Sequence, residues 1–129
     1  MRKNLFVIAF VMFGVFMLGG CRTAPVLNID NAAISVNGNY TQADVKKAII
    51  RAGTSLGWQM KEQEPGRLKG TLFLRTHEAI IQILYDKSKY SIKYVDSKNL
   101  DYDGTNIHSN YNGWIENLNR NIKVQLSNL

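Results

Sequence analysis

A chain of 129 residues with 45% hydrophobic and 20% charged side chains has the composition of a folded globular protein and excludes a largely disordered one. Its formal net charge of +6 is mildly basic, which suits an anionic partner or a layer of anionic headgroups. The single cysteine excludes an internal disulfide and any site built from several thiolates, so stability must come from packing.

The chain begins with Met1-Arg2-Lys3-Asn4, a short positive segment, and continues with 13 uninterrupted apolar or small residues from Leu5 to Met17. That run fits the apolar region of a signal peptide and falls short of the ~20 residues needed to span a bilayer. Leu18-Gly19-Gly20-Cys21 follows. This tetrad resembles the lipobox of bacterial lipoproteins, with slim residues beside the bond to be cut. The resemblance implies that Cys21 carries a diacylglycerol on sulfur, that residues 1–20 are removed, and that the new amine is acylated. Arg22 stands where an aspartate retains some members of the class in the inner membrane. The resemblance therefore implies an outer-membrane anchor with the domain facing the periplasm. One acyl chain holds a protein only marginally, at about 0.8 kcal/mol per buried CH₂, but three make release negligible. An exported chain is a poor candidate for binding nucleic acid. Without Arg2 and Lys3 the mature part keeps 14 basic and 10 acidic side chains, a net charge of +4.

Residues 21–32 contain Pro25 and no periodicity, and are expected to form a lipid-anchored tether that keeps the domain within about 30 Å of the bilayer. Residues 33–129 are expected to form a single domain. Ala33-Ile34-Ser35-Val36 is a short strand-like run before the turn signal Asn37-Gly38. Thr41 is placed as an N-cap, with Asp44 completing a capping box. Val45, Ala48, Ile49, Ala52 and Leu56 fall on one helical stripe, and Gly57 is the stop.

Four strand-like runs follow: Trp58–Gln63, Arg67–Arg75, Ala79–Tyr85 and Lys89–Val95. Pro65-Gly66 has the chemistry of a type II turn, and the short connections imply an antiparallel meander. Residues 96–108 form a polar loop. Ser109 is the expected cap of a last helix whose stripe is Tyr111, Trp114, Ile115, Leu118, Ile122 and Leu126.

The order β-α-β-β-β-β-α predicts an α+β two-layer sandwich, an antiparallel sheet with both helices on one face. This order resembles TBP-like and helix-grip folds in architecture, which does not by itself carry function. The helices would cover Trp58, Met60, Leu68, Leu72, Leu74, Ile81, Ile83, Tyr90 and Ile92. The opposite face would carry Lys61, Arg67, Lys69, Phe73, Arg75, Ile80, Gln82, Leu84 and Lys93. Five basic groups around exposed apolar residues can mark an interaction surface. The alternatives are a solvated face with scattered apolar residues and a homodimer face.

No catalytic constellation is visible: G-x-S-x-G, Walker and dinucleotide glycine patterns are all missing from the sequence. The two histidines, His77 and His108, give no zinc spacing. Asp101-Tyr102-Asp103-Gly104 resembles the opening of a calcium loop, but position twelve is Asn112 where a glutamate is needed. The expectation is a non-enzymatic, envelope-tethered binding or accessory domain, with no cofactor and no metal, whose partner is an anionic envelope protein, glycan or lipid. The alternative is a small apolar-ligand module of helix-grip type, which needs a cavity lined by Trp58, Leu72, Tyr94 and Trp114.

Overall fold

The computed structural model describes residues 22–129; the expected signal segment, the lipobox and Cys21 lie outside the described residues. Among the described residues seven strands and two helices follow one another: β1 (Thr23–Pro25), β2 (Ile29–Ala33), α1 (Gln42–Ser55), β3 (Gln59–Glu64), β4 (Arg67–Leu74), β5 (His77–Tyr85), β6 (Lys89–Lys98), β7 (Asn106–His108) and α2 (Ser109–Ser127). The class is α+β. Five strands form the main sheet in the order β2-β6-β5-β4-β3, and β1 pairs with β7 in a separate two-stranded ribbon. All these pairings are antiparallel.

α1 starts where the local chemistry dictates. Thr41 accepts from the Asp44 backbone N–H at 3.1 Å, and Asp44 accepts in return from the Thr41 N–H at 2.9 Å. These two bonds satisfy donors that a helix start leaves orphaned. They also hold the Asp44 carboxyl below the usual carboxylate range, the Thr41 backbone N–H contributing most. The helix stops before Gly57, whose φ of 91° is the left-handed geometry of a helix terminus. Val45, Ala48, Ile49 and Ala52 are fully buried, but Leu56 lies beyond the last turn and is 41% exposed.

β2 and β3 occupy the two edges of the main sheet, so the α1 connection crosses its whole width. α2 packs beside α1. Asn121 Nδ2 donates to the Ala52 carbonyl at 3.1 Å and to Ser55 Oγ at 2.6 Å, closing the seam between them. Beneath the helices Leu68, Ile81, Ile83 and Ile92 are fully buried, as are Ile115, Leu118 and Ile122 above them. Each such side chain contributes roughly 1.5–3 kcal/mol on burial. Of the residues expected on this face only Leu74 is exposed, because it sits at the end of β4 next to the turn.

Three expectations are corrected. The segment 22–32 is no tether: Thr23, Ala24 and Pro25 pair with His108, Ile107 and Asn106, and Ile29–Ala33 is an edge strand of the main sheet. The first sheet strand accordingly ends at Ala33, where sequence had it begin; Ile34 remains buried and donates its N–H to the Ser88 carbonyl at 2.8 Å. The expected loop 96–108 is shortened at both ends, since β6 runs on to Lys98 and Asn106–His108 forms β7. The cap of α2 is His108, whose Nδ1 accepts from the Asn110 N–H at 3.1 Å, and Ser109 is already helical. Both edge pairings contain an irregularity, between Ile29 and Ala32 on β2 and between Glu62 and Glu64 on β3.

Candidate functional site

The face of the main sheet turned away from the helices is built by strict alternation. In β4, Leu68, Gly70 and Leu72 point under the helices, which leaves Arg67, Lys69, Thr71 and Phe73 outside. The inward position 70 is a glycine because a Cβ there would stand 2.9 Å from Ile81 Cγ1 and 3.3 Å from Trp58 Cε3. Lys61 of β3 lies directly opposite Lys69, Lys69 opposite Gln82, and Gln82 opposite Lys93. One row across four strands therefore reads Lys61, Lys69, Gln82, Lys93. Arg67 and Leu84 form the next row toward one end, Phe73 and Glu78 a row toward the other.

The face unites Lys61, Arg67, Lys69, Phe73 and Lys93 as expected, with half-buried Ile80 and exposed Leu84 beside them. Arg75 does not belong to it. It occupies the turn between β4 and β5 at a φ of 56°, on the margin of the sheet. The face is also less basic than the count of cations suggests. Lys93 pairs with Asp30 of β2, Arg67 with Glu64 at 3.2 Å, and Lys98 with Glu78 at 3.4 Å. Such exposed pairs contribute at most about 1 kcal/mol each, but they offset charge. Lys61 and Lys69 have no ion-pair partner among the described residues. Like charges directly across a ladder cost about 0.2–1 kcal/mol.

One contributor was hidden from sequence reasoning. The register of β6 shifts between the partners of Ile80 and Ile81, so Ile80 faces Asp96 while Ile81 faces Tyr94. The bulge places Val95, 52% exposed, and Asp96 on the open side together. Glu78 was legible from its alternation with Ile80, and Val95 from its alternation with Lys93; Asp96 was not, because a bulge leaves no mark in period-two counting.

Other candidates resolve into structural roles. His77 Nδ1 donates to the Asn99 carbonyl at 2.6 Å, and its ring lies 6.4 Å from that of Trp114. Asp103 accepts from the backbone N–H groups of Thr105 at 2.9 Å and Asn106 at 2.7 Å, which holds its carboxyl below the usual range. It is a turn-forming aspartate. Asn112, the residue at the twelfth position of the calcium-like count, clamps the N-terminal segment: its Nδ2 donates to the Pro25 carbonyl and its Oδ1 accepts from the Leu27 N–H, both at 2.9 Å. Among the described residues no three His, Cys, Asp or Glu side chains are grouped to hold a metal ion.

Trp58, Leu72 and Trp114 do meet around a cavity, together with Leu56 and Asn117. Its volume is about 70 Å³, against the ~300 Å³ at which small-molecule sites begin. Tyr94 is not part of it. That ring packs edge-on against Tyr111 at 5.6 Å and lies 4.2 Å from Tyr102.

No protein-family model matches the chain, and the searches of curated proteins and of solved structures found no significant match.

Proposed function

We propose that the mature chain is a lipid-anchored lipoprotein of the cell envelope, its domain a non-enzymatic module that binds an anionic partner on the open sheet face. The lipobox-like Leu18-Gly19-Gly20-Cys21 supports the anchor, and Arg22 in place of aspartate supports the outer membrane, facing the periplasm. The observation that carries the binding reading is the direct opposition of Lys61 and Lys69 with no acid between them. Two facing ammonium groups cost folding free energy in the isolated domain, and an anion placed between them removes that cost. Phe73, 58% exposed, and Leu84, 38% exposed, supply apolar contact on either side. A cavity of about 70 Å³ gives the apolar-ligand alternative no comparable support.

The anchor is tested by metabolic labelling with palmitate: wild type incorporates the label and Cys21→Ala does not. Equal labelling of the two rejects a lipid on this cysteine. The face is tested by photo-crosslinking in cells from position 73. A crosslink that disappears in Lys61→Glu/Lys69→Glu and persists in Lys123→Glu, a change on exposed α2, supports the reading. A crosslink indifferent to both removes it.

A further inference from the structure

We propose that the domain is seated directly on the bilayer by one end of the sandwich and does not swing on a leash. This rests on the lipoprotein reading of Cys21. The fold begins at the very next residue. The Arg22 carbonyl accepts from the Ser109 N–H at 2.7 Å, Thr23 pairs with His108, and the Val26 N–H donates to the Thr105 carbonyl at 3.0 Å. The Asn112 amide then fixes Pro25 and Leu27 from the side. One peptide unit, about 3.8 Å between Cα atoms, separates an acylated cysteine from hydrogen-bonded backbone. No flexible linker is left to lift the domain away from its lipid.

That short link decides which end meets the headgroups. His108 donates its N–H to the Leu100 carbonyl at 2.7 Å; the next residue along, Asn99, donates its side-chain amide to the Thr76 carbonyl at 2.7 Å and accepts from His77. Arg22 is thus joined through β7 and the chain after β6 to the turn between β4 and β5. The turn of residues 86–88 stands at the other end of β5, a nine-residue strand, and so roughly 25–30 Å away.

A second observation falls on the same end. Phe73 on the open face, and Leu56 and Leu74 on the helix side, are exposed around it, as is Tyr102 in the adjoining loop. Arg22 and Arg75 are exposed there as well. Neither face of the sheet explains a patch that wraps the end from both sides. Apolar and aromatic side chains rimmed by arginines are the composition that settles at a bilayer interface, rings at headgroup depth and guanidinium groups on phosphates. Asp101 and Asp103 also lie at this end, and the Asp103 carboxylate accepts from the Thr105 and Asn106 N–H groups of its own turn. Seated this way, the strands rise from the membrane and the Lys61–Lys69–Lys93 row faces sideways into the compartment.

The test uses the full-length lipidated protein in vesicles of phosphatidylethanolamine and phosphatidylglycerol carrying a headgroup spin label. The Cys21 sulfur is blocked by lipid, so a fluorophore reports from one introduced thiol at a time: Leu74→Cys or Tyr102→Cys at the seated end, Ser88→Cys at the far end. Arg75→Cys and Lys87→Cys give an independent pair for the same contrast. Quenching several-fold stronger at 74, 75 and 102 than at 87 and 88 supports the seating. Equal quenching at both ends, in protein that does incorporate palmitate, overturns the seating and leaves the anchor standing. Protein that incorporates no palmitate removes the anchor, and the seating with it.

Discussion

The two faces of the main sheet are made by the same strands and behave as different materials. Under the helices, Leu68, Ile81, Ile83 and Ile92 admit no solvent, and Gly70 is kept bare to make room for Ile81 and Trp58. One residue along each strand, Lys69, Gln82 and Lys93 are partly open to solvent beside exposed Leu84 and Val95. The contrast teaches that one face carries most of the folding free energy, which leaves the other free for the partner proposed for it.

The contrast is sharpest for paired truncations. Leu68→Ala should lower unfolding free energy by about 2–5 kcal/mol in urea titration, the range for a buried leucine. Leu84→Ala, on the open side, should change it by less than about 1 kcal/mol. Comparable losses at the two positions would mean that the open face is covered by something that stabilises it.

The buried tyrosines offer a second way to separate the faces. Tyr90 donates its hydroxyl to Asn119 Oδ1 beneath α2, and burial pushes its phenol up to about 12; burial raises Tyr111 further, and its hydroxyl has no hydrogen-bond partner. Both pKa values lie above the unfolded value near 10. The stabilisation linked to the neutral phenols is therefore complete below about pH 10 and is lost as pH rises through about 12. Alkaline unfolding should fall in that interval and coincide with the absorbance rise of tyrosinate. Tyr111→Phe removes an unsatisfied buried hydroxyl and should raise neutral-pH stability by about 1–3 kcal/mol, read from thermal unfolding.

The smallest expected effect lies on the open face. Lys69→Glu turns the Lys61 opposition into an ion pair and should stabilise the domain by about 0.2–1 kcal/mol, less at high salt. The same substitution should weaken partner capture. A gain in stability with undiminished capture would detach the lysine row from recognition.

How much of this was legible follows from where each instruction is written. α1 was readable because its cap, stripe and stop are all local: Thr41 and Asp44 bond to each other, and Gly57 is the next residue after the C-cap. β4 was readable because its alternation runs unbroken from Arg67 to Phe73. β1, β2 and β7 were not. Thr23–Pro25 is three residues long, contains a proline, and is held only by partners more than eighty positions away. Ile29–Ala33 is Ile-Asp-Asn-Ala-Ala, poor strand chemistry tolerated at an edge, where the Ser91 hydroxyl accepts the Asn31 N–H at 2.9 Å. On the open face, the lysine row was legible by counting in twos, but its offsetting acids arrive through tertiary pairing and a bulge. Asp30 comes from a strand read as tether, and Asp96 from a register shift.

The irregular edge strands have a consequence for self-assembly. An exposed strand is a template on which another copy can add its own, continuing the ladder from molecule to molecule. Here β2 breaks step at Asn31, whose φ is 52°, and β3 breaks step before Glu64 while carrying Lys61, Glu62 and Glu64 along the margin. Kinks and charge at both borders oppose edge-to-edge growth of the sheet. Copies crowded together at high local concentration would then remain separate molecules.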